Sequence, residues 1–173
     1  MDRRTALGAG AIVIGAASLG YALFAKVSDE ELIADLLNEL ARTVSFSEPI
    51  GNVVFHGSRL SERFQELMTE RVDIRISEVQ SALPNRALPN ERGKLGLAAA
   101  HTLSRYGSLD VSLSINTLRI EGDSASCKAT ATLIALEQGA PRRDTRPVDF
   151  TLIKDDGSWR IQAARVRAPS DDS

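Results

Sequence analysis

The sequence predicts an α+β domain: three helices packed on a strongly bent, mostly antiparallel sheet, preceded by one N-terminal hydrophobic helix. Three observations carry this. Apolar residues recur at helical spacing in three stretches of the first two thirds of the chain. From Leu109 onward the period changes to two, over four strands. That alternation also changes parity twice, which is what β-bulges do, and bulges bend sheets. Helices gathered mostly ahead of the strands, rather than alternating with them, belong to the α+β class.

The hydrophobic segment comes first. Ala6 to Ala25 carries no charge and follows Arg3 and Arg4. A stretch of ~20 such residues can cross ~30 Å of hydrocarbon as a helix. Its strong apolar residues, Leu7, Ile12, Val13, Ile14, Leu19, Leu23 and Phe24, are diluted by glycine and alanine. At about 0.3–0.6 kcal/mol each they make a marginal permanent anchor. Two readings of residues 1–27 therefore stand: a single transmembrane anchor, or a signal peptide cut after Ala22. Arg3 and Arg4 precede the run, while Asp29, Glu30 and Glu31 follow it. That bias keeps the N-terminus cytoplasmic and delivers the domain to the periplasm, or to the extracytoplasmic face of the membrane. Asp2-Arg3-Arg4-Thr5-Ala6-Leu7-Gly8 resembles the bacterial twin-arginine export signal at Arg3, Arg4 and Leu7, with Ala6 and Gly8 in place of the usual phenylalanine and lysine. A plain positive-inside flank is the other reading of the same pair.

The globular part spans residues 28–168, ahead of a short tail, 169–173, expected to be disordered. Ser28-Asp29-Glu30-Glu31 is a capping box. Leu32, Ile33, Leu36, Leu37 and Leu40 follow it as one stripe, so the first helix should run from Ser28 to about Thr43. SFSEPIGNVVFHG, with Pro49, Gly51 and Gly57, reads as a loop holding a short extended piece at Val53–Phe55. Ser58 then caps a second helix carrying Leu60, Phe64, Leu67 and Met68. Val72 to Val79 alternates as a half-buried strand, and the twice-repeated ALPN after it forbids regular structure. Asn90 caps a third helix, with Leu95, Ala99, Thr102, Leu103 and Tyr106 on one face, ended by Gly107.

Leu109, Val111, Leu113 and Ile115 face one way before Leu118 and Ile120 take over, which places a bulge at Asn116-Thr117. SASCKATATLIALE is the next strand, with Ala125, Cys127, Ala129 and Ala131 on one face. The last two strands join at Asp156-Gly157, a strong hairpin signal. A second parity slip falls where Trp159, Ile161 and Ala163 give way to Ala164 and Val166.

Composition excludes several classes. A net charge of −2 without a basic run leaves no electrostatic footprint for nucleic acid. Cys127 is the only cysteine, so neither an internal disulfide nor a zinc cluster can form; its place in a small-residue strand predicts burial. No glycine-rich phosphate loop, metal-ligand cluster or nucleophile–base spacing is present, and no cofactor is implied.

The order of elements, with Val148–Lys154, the turn Asp155-Asp156-Gly157, and Trp159 and Ile161 on the last strand, resembles the nuclear transport factor 2-like (NTF2-like, SnoaL-like, cystatin-like) superfamily. The resemblance covers nearly everything from Ser28 to Ala168. It implies a cone whose sheet wraps the helices around a cavity, with homodimers formed through the sheet. It also implies functions ranging from isomerases, dehydratases and cyclases to transport factors, scaffolds and accessory domains, so fold alone does not set function.

Family enzymes place a histidine, aspartate or tyrosine inside the cone. Here the one weak catalytic candidate is His56, in the loop between the first two helices. His101 falls on the outer side of the third helix, and Asp110, Glu121 and Asp149 face outward by alternation. Phe64, Tyr106 and Trp159 are the expected pocket-lining residues, the last two needing polar partners if buried. The basic cluster from Arg142 to Arg146 is expected in a solvated hairpin tip. Two functional classes follow. One is an exported or membrane-anchored binding or scaffold module, whose partner is a protein or a small apolar ligand. The other is a small-molecule isomerase, dehydratase or hydrolase working in the cone.

Overall fold

A computed structural model describes residues 27–76 and 89–168. Arg3, Arg4, Leu7, most of the ALPN repeat and the tail 169–173 lie outside the described residues. Three helices and a five-stranded sheet follow one another as α1 (Asp29–Val44), α2 (Val53–Leu67), β1 (Met68–Ile76), α3 (Arg92–Leu103), β2 (Tyr106–Glu121), β3 (Ser124–Glu137), β4 (Ala140–Asp155) and β5 (Ser158–Val166). The sheet order is β1-β5-β4-β3-β2, antiparallel throughout except for the parallel β1–β5 edge.

The capping box forms as expected. Ser28 Oγ accepts from the Glu31 amide at 3.2 Å, and Glu31 Oε2 accepts from the Ser28 amide at 3.0 Å. Two donors that a helix start leaves unmet are thereby satisfied. α1 buries Ile33, Leu37 and Ala41 and lies along β2. At its end Ser45 Oγ donates to the Ala41 carbonyl and accepts from the Val111 amide at 2.9 Å. Phe46 then exchanges both backbone bonds with Leu109, stitching the α1–α2 connection to β2.

Several boundaries differ from expectation. α2 begins at Val53, not after Ser58, because Asn52 is the cap: its side chain accepts from the Phe55 amide at 3.0 Å. The expected extended piece Val53–Phe55 is thus helical, and Ser58 is interior, its hydroxyl donating to the Val54 carbonyl. Val53, Gly57, Leu60, Phe64 and Leu67 extend the apolar stripe a full turn upstream of Ser58. Met68 is not on the helix but opens β1, buried opposite Ile161. α3 starts at Arg92 after Glu91, whose side chain makes no capping bond; the Asn90 carbonyl instead accepts from the Val72 amide. α3 also ends at Leu103, so Tyr106 and Gly107 belong to β2, while Thr102 is exposed rather than core-facing.

Both parity slips are bulges. Ile115 pairs with Ala129 and Thr117 with Lys128, leaving Asn116 extra. Thr151 pairs with Ala163 and Leu152 with Ile161, leaving Gln162 extra. Asp156 and Gly157 take φ of 48° and 77°, the left-handed pair that a two-residue hairpin requires. The β3–β4 turn sits at Gln138-Gly139, so Arg142 to Arg146 run within β4 and do not form a hairpin tip.

The concave face of the sheet closes on the helices through Ala125, Cys127, Ala129, Val148, Phe150, Leu152, Trp159 and Ile161. Ile33, Leu37, Leu60, Phe64, Leu95 and Ala100 fill the space from the helical side. Small residues on β3 let these larger side chains approach the sheet. Among the described residues no polar or charged side chain is buried in this core.

Candidate functional site

Among the described residues the space between sheet and helices is lined by buried apolar side chains, and a groove opens on the outer surface. A groove of about 770 Å³ runs between the last turn of α1, the α1–α2 connection and the outer flank of α2. His56 stands in the first turn of α2, not in a loop, its amide bonded to the Asn52 carbonyl at 3.0 Å. From there its ring faces Phe46 edge-on, with centroids 6.1 Å apart and planes at 74°. Arg59, one turn further along α2, and Thr43, on the last turn of α1, line the same groove, with Ile50 and Phe55 as apolar walls.

Two polar atoms of this groove have no partner. His56 Nε2 and Thr43 Oγ1 are both shielded from solvent and both without a hydrogen bond. Leaving such groups unmet costs about 1–3 kcal/mol each, so the pair marks a place where a further polar group is wanted. Burial first, and the Arg59 guanidinium second, hold the His56 imidazole below its ordinary pKa, so it is neutral at neutral pH. Arg42 pairs with Glu39 at 3.8 Å and Arg63 with Glu66 at 3.1 Å. Arg59 makes no ion pair among the described residues and keeps its charge for the groove. Among the described residues no carboxylate hydrogen-bonds to His56.

The three expected pocket-lining residues do not meet in this groove. Phe64 is 3% exposed and sits in the core. Trp159 is equally part of the core, its Nε1 donating to Asp29 Oδ1 at 2.9 Å, which supplies the polar partner its burial requires. The Trp159 edge lines a second groove, of about 530 Å³, with Leu32, Asp35 and Leu36. Tyr106 is half-buried at the start of β2, with the Arg105 guanidinium 5.0 Å from its ring centre. His101, Asp110 and Glu121 are exposed, and Asp149 is held by Arg167 at 2.8 Å. Cys127 is buried, and burial raises its thiol pKa.

Thr43, Phe46 and Arg59 were not picked out by residue type or pattern. A usable signal existed in Asn52, since a helix capped there puts His56 and Arg59 one turn apart on one side. Among the described residues no helix is long and apolar enough to cross a membrane, and no cluster of histidine, cysteine and carboxylates could hold a metal ion.

No family model matches the chain, and no curated protein matches its sequence. Solved structures do resemble it. A Kribbella flavida protein, Kfla4162, superposes with a TM-score of 0.64 at 14% identity, over 81% of this chain and 90% of that one. An NTF2-like protein with a cystatin-like fold from Novosphingobium aromaticivorans gives 0.58 at 18% identity, over 96% and 94%. A nuclear transport factor 2-like superfamily protein from Salmonella enterica serovar Typhimurium gives 0.53 at 10% identity, over 82% and 96%. At these identities the likeness speaks for fold alone. With its bulged, mixed five-stranded sheet closed on three helices, this chain has the NTF2-like, cystatin-like cone fold.

Proposed function

We propose that the protein is an exported or membrane-anchored NTF2-like module that binds a partner or a small ligand and does not catalyse a reaction. The observation that supports this is the apolar lining of the cone: among the described residues Phe64, Phe150, Leu152, Trp159 and Ile161 are buried between sheet and helices, and the Cys127 thiol is the one titratable group buried with them. A cavity wall needs convergent polar groups with displaced pKa values to do acid–base work. The core residues supply none. The small-molecule isomerase, dehydratase or hydrolase reading would use His56, which lines the outer groove with no carboxylate bonded to it among the described residues, or an acid in the cone. The uncharged Ala6–Ala25 run behind Arg3 and Arg4 supports export to the periplasm or to the outer face of the cytoplasmic membrane. A homodimer through the sheet is the assembly this fold would use.

Intact-mass measurement on the cell-fractionated protein tests the location. Either a soluble product beginning at Leu23, after cleavage at Ala22, or a full-length product in the membrane fraction is expected. Full-length protein in the soluble cytoplasm would overturn the exported reading. Chemical crosslinking in intact cells tests the binding role, and adducts with another chain or with a second copy are expected.

A further inference from the structure

The groove between α1 and α2 has a chemical selectivity of its own. We infer that it binds a small organic carboxylate, an acid group on a compact aryl or alkyl body, with the carboxylate at His56, Thr43 and Arg59 and the apolar body against Phe46, Ile50 and Phe55. The inference deepens the binding-module reading by naming a ligand class for this site.

Three features converge. The first is the pair of unmet atoms, Thr43 Oγ1 and His56 Nε2, on the two helices that form the groove walls. Both atoms are shielded in the groove, so the two side chains must turn toward a ligand. A hydroxyl and the N–H of an Nε2-protonated imidazole can then both donate to one carboxylate, which accepts at two oxygens. The second is charge. Arg42 and Arg63 are each engaged by a glutamate, whereas Arg59 lines the groove without a carboxylate of its own among the described residues. A guanidinium offers a planar fork that fits a carboxylate on two parallel bonds. The third is shape. About 770 Å³ lies within the range of small-molecule sites, and the aromatic edges of Phe46 and Phe55 with Ile50 give one apolar side to a mixed surface.

At Arg59 itself a cationic ligand is repelled, whereas the glutamates elsewhere in the groove would attract one, so the selectivity is set at the Arg59 end. A neutral amide could satisfy Thr43 and His56 but would leave Arg59 unused. The groove carboxylates Glu39, Glu48, Glu62 and Glu66 disfavour a polyanion, which limits the ligand to a single acid group.

The chain contains two histidines, His56 in the groove and His101 exposed on α3, so full-length protein labelled with carbon-13 histidine gives a site reporter and an internal control. Phenylacetate and its neutral counterpart phenylacetamide are titrated separately in nonionic micelles near neutral pH. Phenylacetate is expected to move the His56 ring signal saturably in the millimolar range and to leave His101 still. Phenylacetamide should bind about tenfold more weakly, the difference a charge-assisted pair makes. Arg59→Gln should erase that preference, and Thr43→Val should weaken both probes alike while the histidine spectrum stays folded. A His56 signal that phenylacetate does not move, equal affinity for the two probes, or equal movement of both histidines would each overturn the assignment. Those results would leave the export and partner-binding reading intact, since that reading is decided by fractionation and crosslinking.

Discussion

Trp159 Nε1 and Lys154 Nζ reach the same oxygen of Asp29, at 2.9 Å and 2.8 Å, so the first residue of α1 is fastened to both arms of the β4–β5 hairpin. The carboxylate also sits at a helix N-terminus, where negative charge is favoured. Lys154 lies 5.5 Å from the Trp159 ring centre and completes the arrangement.

Removing the shared acceptor should therefore cost more than removing either donor. Asp29→Ala is expected to destabilise by about 2–3 kcal/mol, because it strands a half-buried ammonium and a buried indole N–H together. Trp159→Phe keeps most of the ring's burial and should cost about 1–2 kcal/mol. The double variant should fall short of the sum, since both changes break one network. Urea midpoints of the three variants check this, and strict additivity would show that the two residues act independently.

The clamp's neighbours show which features the sequence exposes and which it hides. Ser28 with Glu31, Asp156-Gly157 and the two parity slips are local signals, each resolved by chemistry within a few residues, and each stands in the structure. The start of α2 is different. Val53-Val54 favours extended backbone by propensity, and Asn52 and Ser58 are equally good caps; the choice falls to Gly57, which is buried, and Val53, which packs partly buried against the core. Arg142 to Arg146 read as a turn because Pro141 and the charges look like loop residues, yet pairing with Ala131 to Ala135 carries the ladder through them. The groove was hidden for a third reason. Thr43 and Phe46 line one groove with His56 and Arg59, and the connection between them is held by Phe46 bonded to Leu109, a contact distant in sequence.

Gly96 sets the approach of α3 to α2. A Cβ there would run into the backbone nitrogen and hydroxyl of Ser61 and come within 2.7 Å of the Gly57 carbonyl oxygen. Two of those three obstacles are backbone, which cannot swing aside. Gly96→Ala should thus destabilise by about 1–3 kcal/mol despite alanine's better helix propensity, the usual range for overpacking. Gly93, one turn earlier, has open space at the same position. Gly93→Ala should be neutral or stabilising by up to about 1 kcal/mol. Thermal melts of the pair give opposite signs if α2–α3 contact is the cause.

Cys127 is 1% exposed on the concave face of β3, and burial raises its thiol pKa. Both facts suppress thiolate at the surface. An aromatic disulfide reagent should leave the native protein unlabelled at neutral pH and label one thiol per chain in denaturant. Labelling of the native protein at the rate of a free thiol would mean that the β3–β4 region opens far more readily than its packing implies.

The paired arginines allow the two export readings to be separated. Replacing Arg3 and Arg4 with lysine keeps the positive flank but removes the guanidinium pair that a twin-arginine signal presents. If that route is used, the exported fraction of the double variant should fall to near background, measured by cell fractionation. Unchanged export would leave the positive-inside bias as the sole role of these residues.

His56 gives the domain a pH dependence whose sign follows from its surroundings. The unfolded chain takes up the proton near the ordinary pKa of 6.5; the folded chain takes it up at a lower pH, through burial and Arg59. Between those two values the unfolded state binds more protons, so stability rises with pH and is lost as pH falls below about 6.5. Below the folded pKa the loss is complete and this contribution levels off. The wild type should accordingly lose more melting temperature than His56→Gln when pH drops from about 7.5 to about 5, the variant serving to subtract Glu39, Glu48, Glu62 and Glu66 around the groove. Saturating phenylacetate should shrink or reverse the difference, because a bound carboxylate favours the imidazolium that Arg59 disfavours. Equal acid sensitivity of wild type and variant would show that the His56 ring titrates as it does in water.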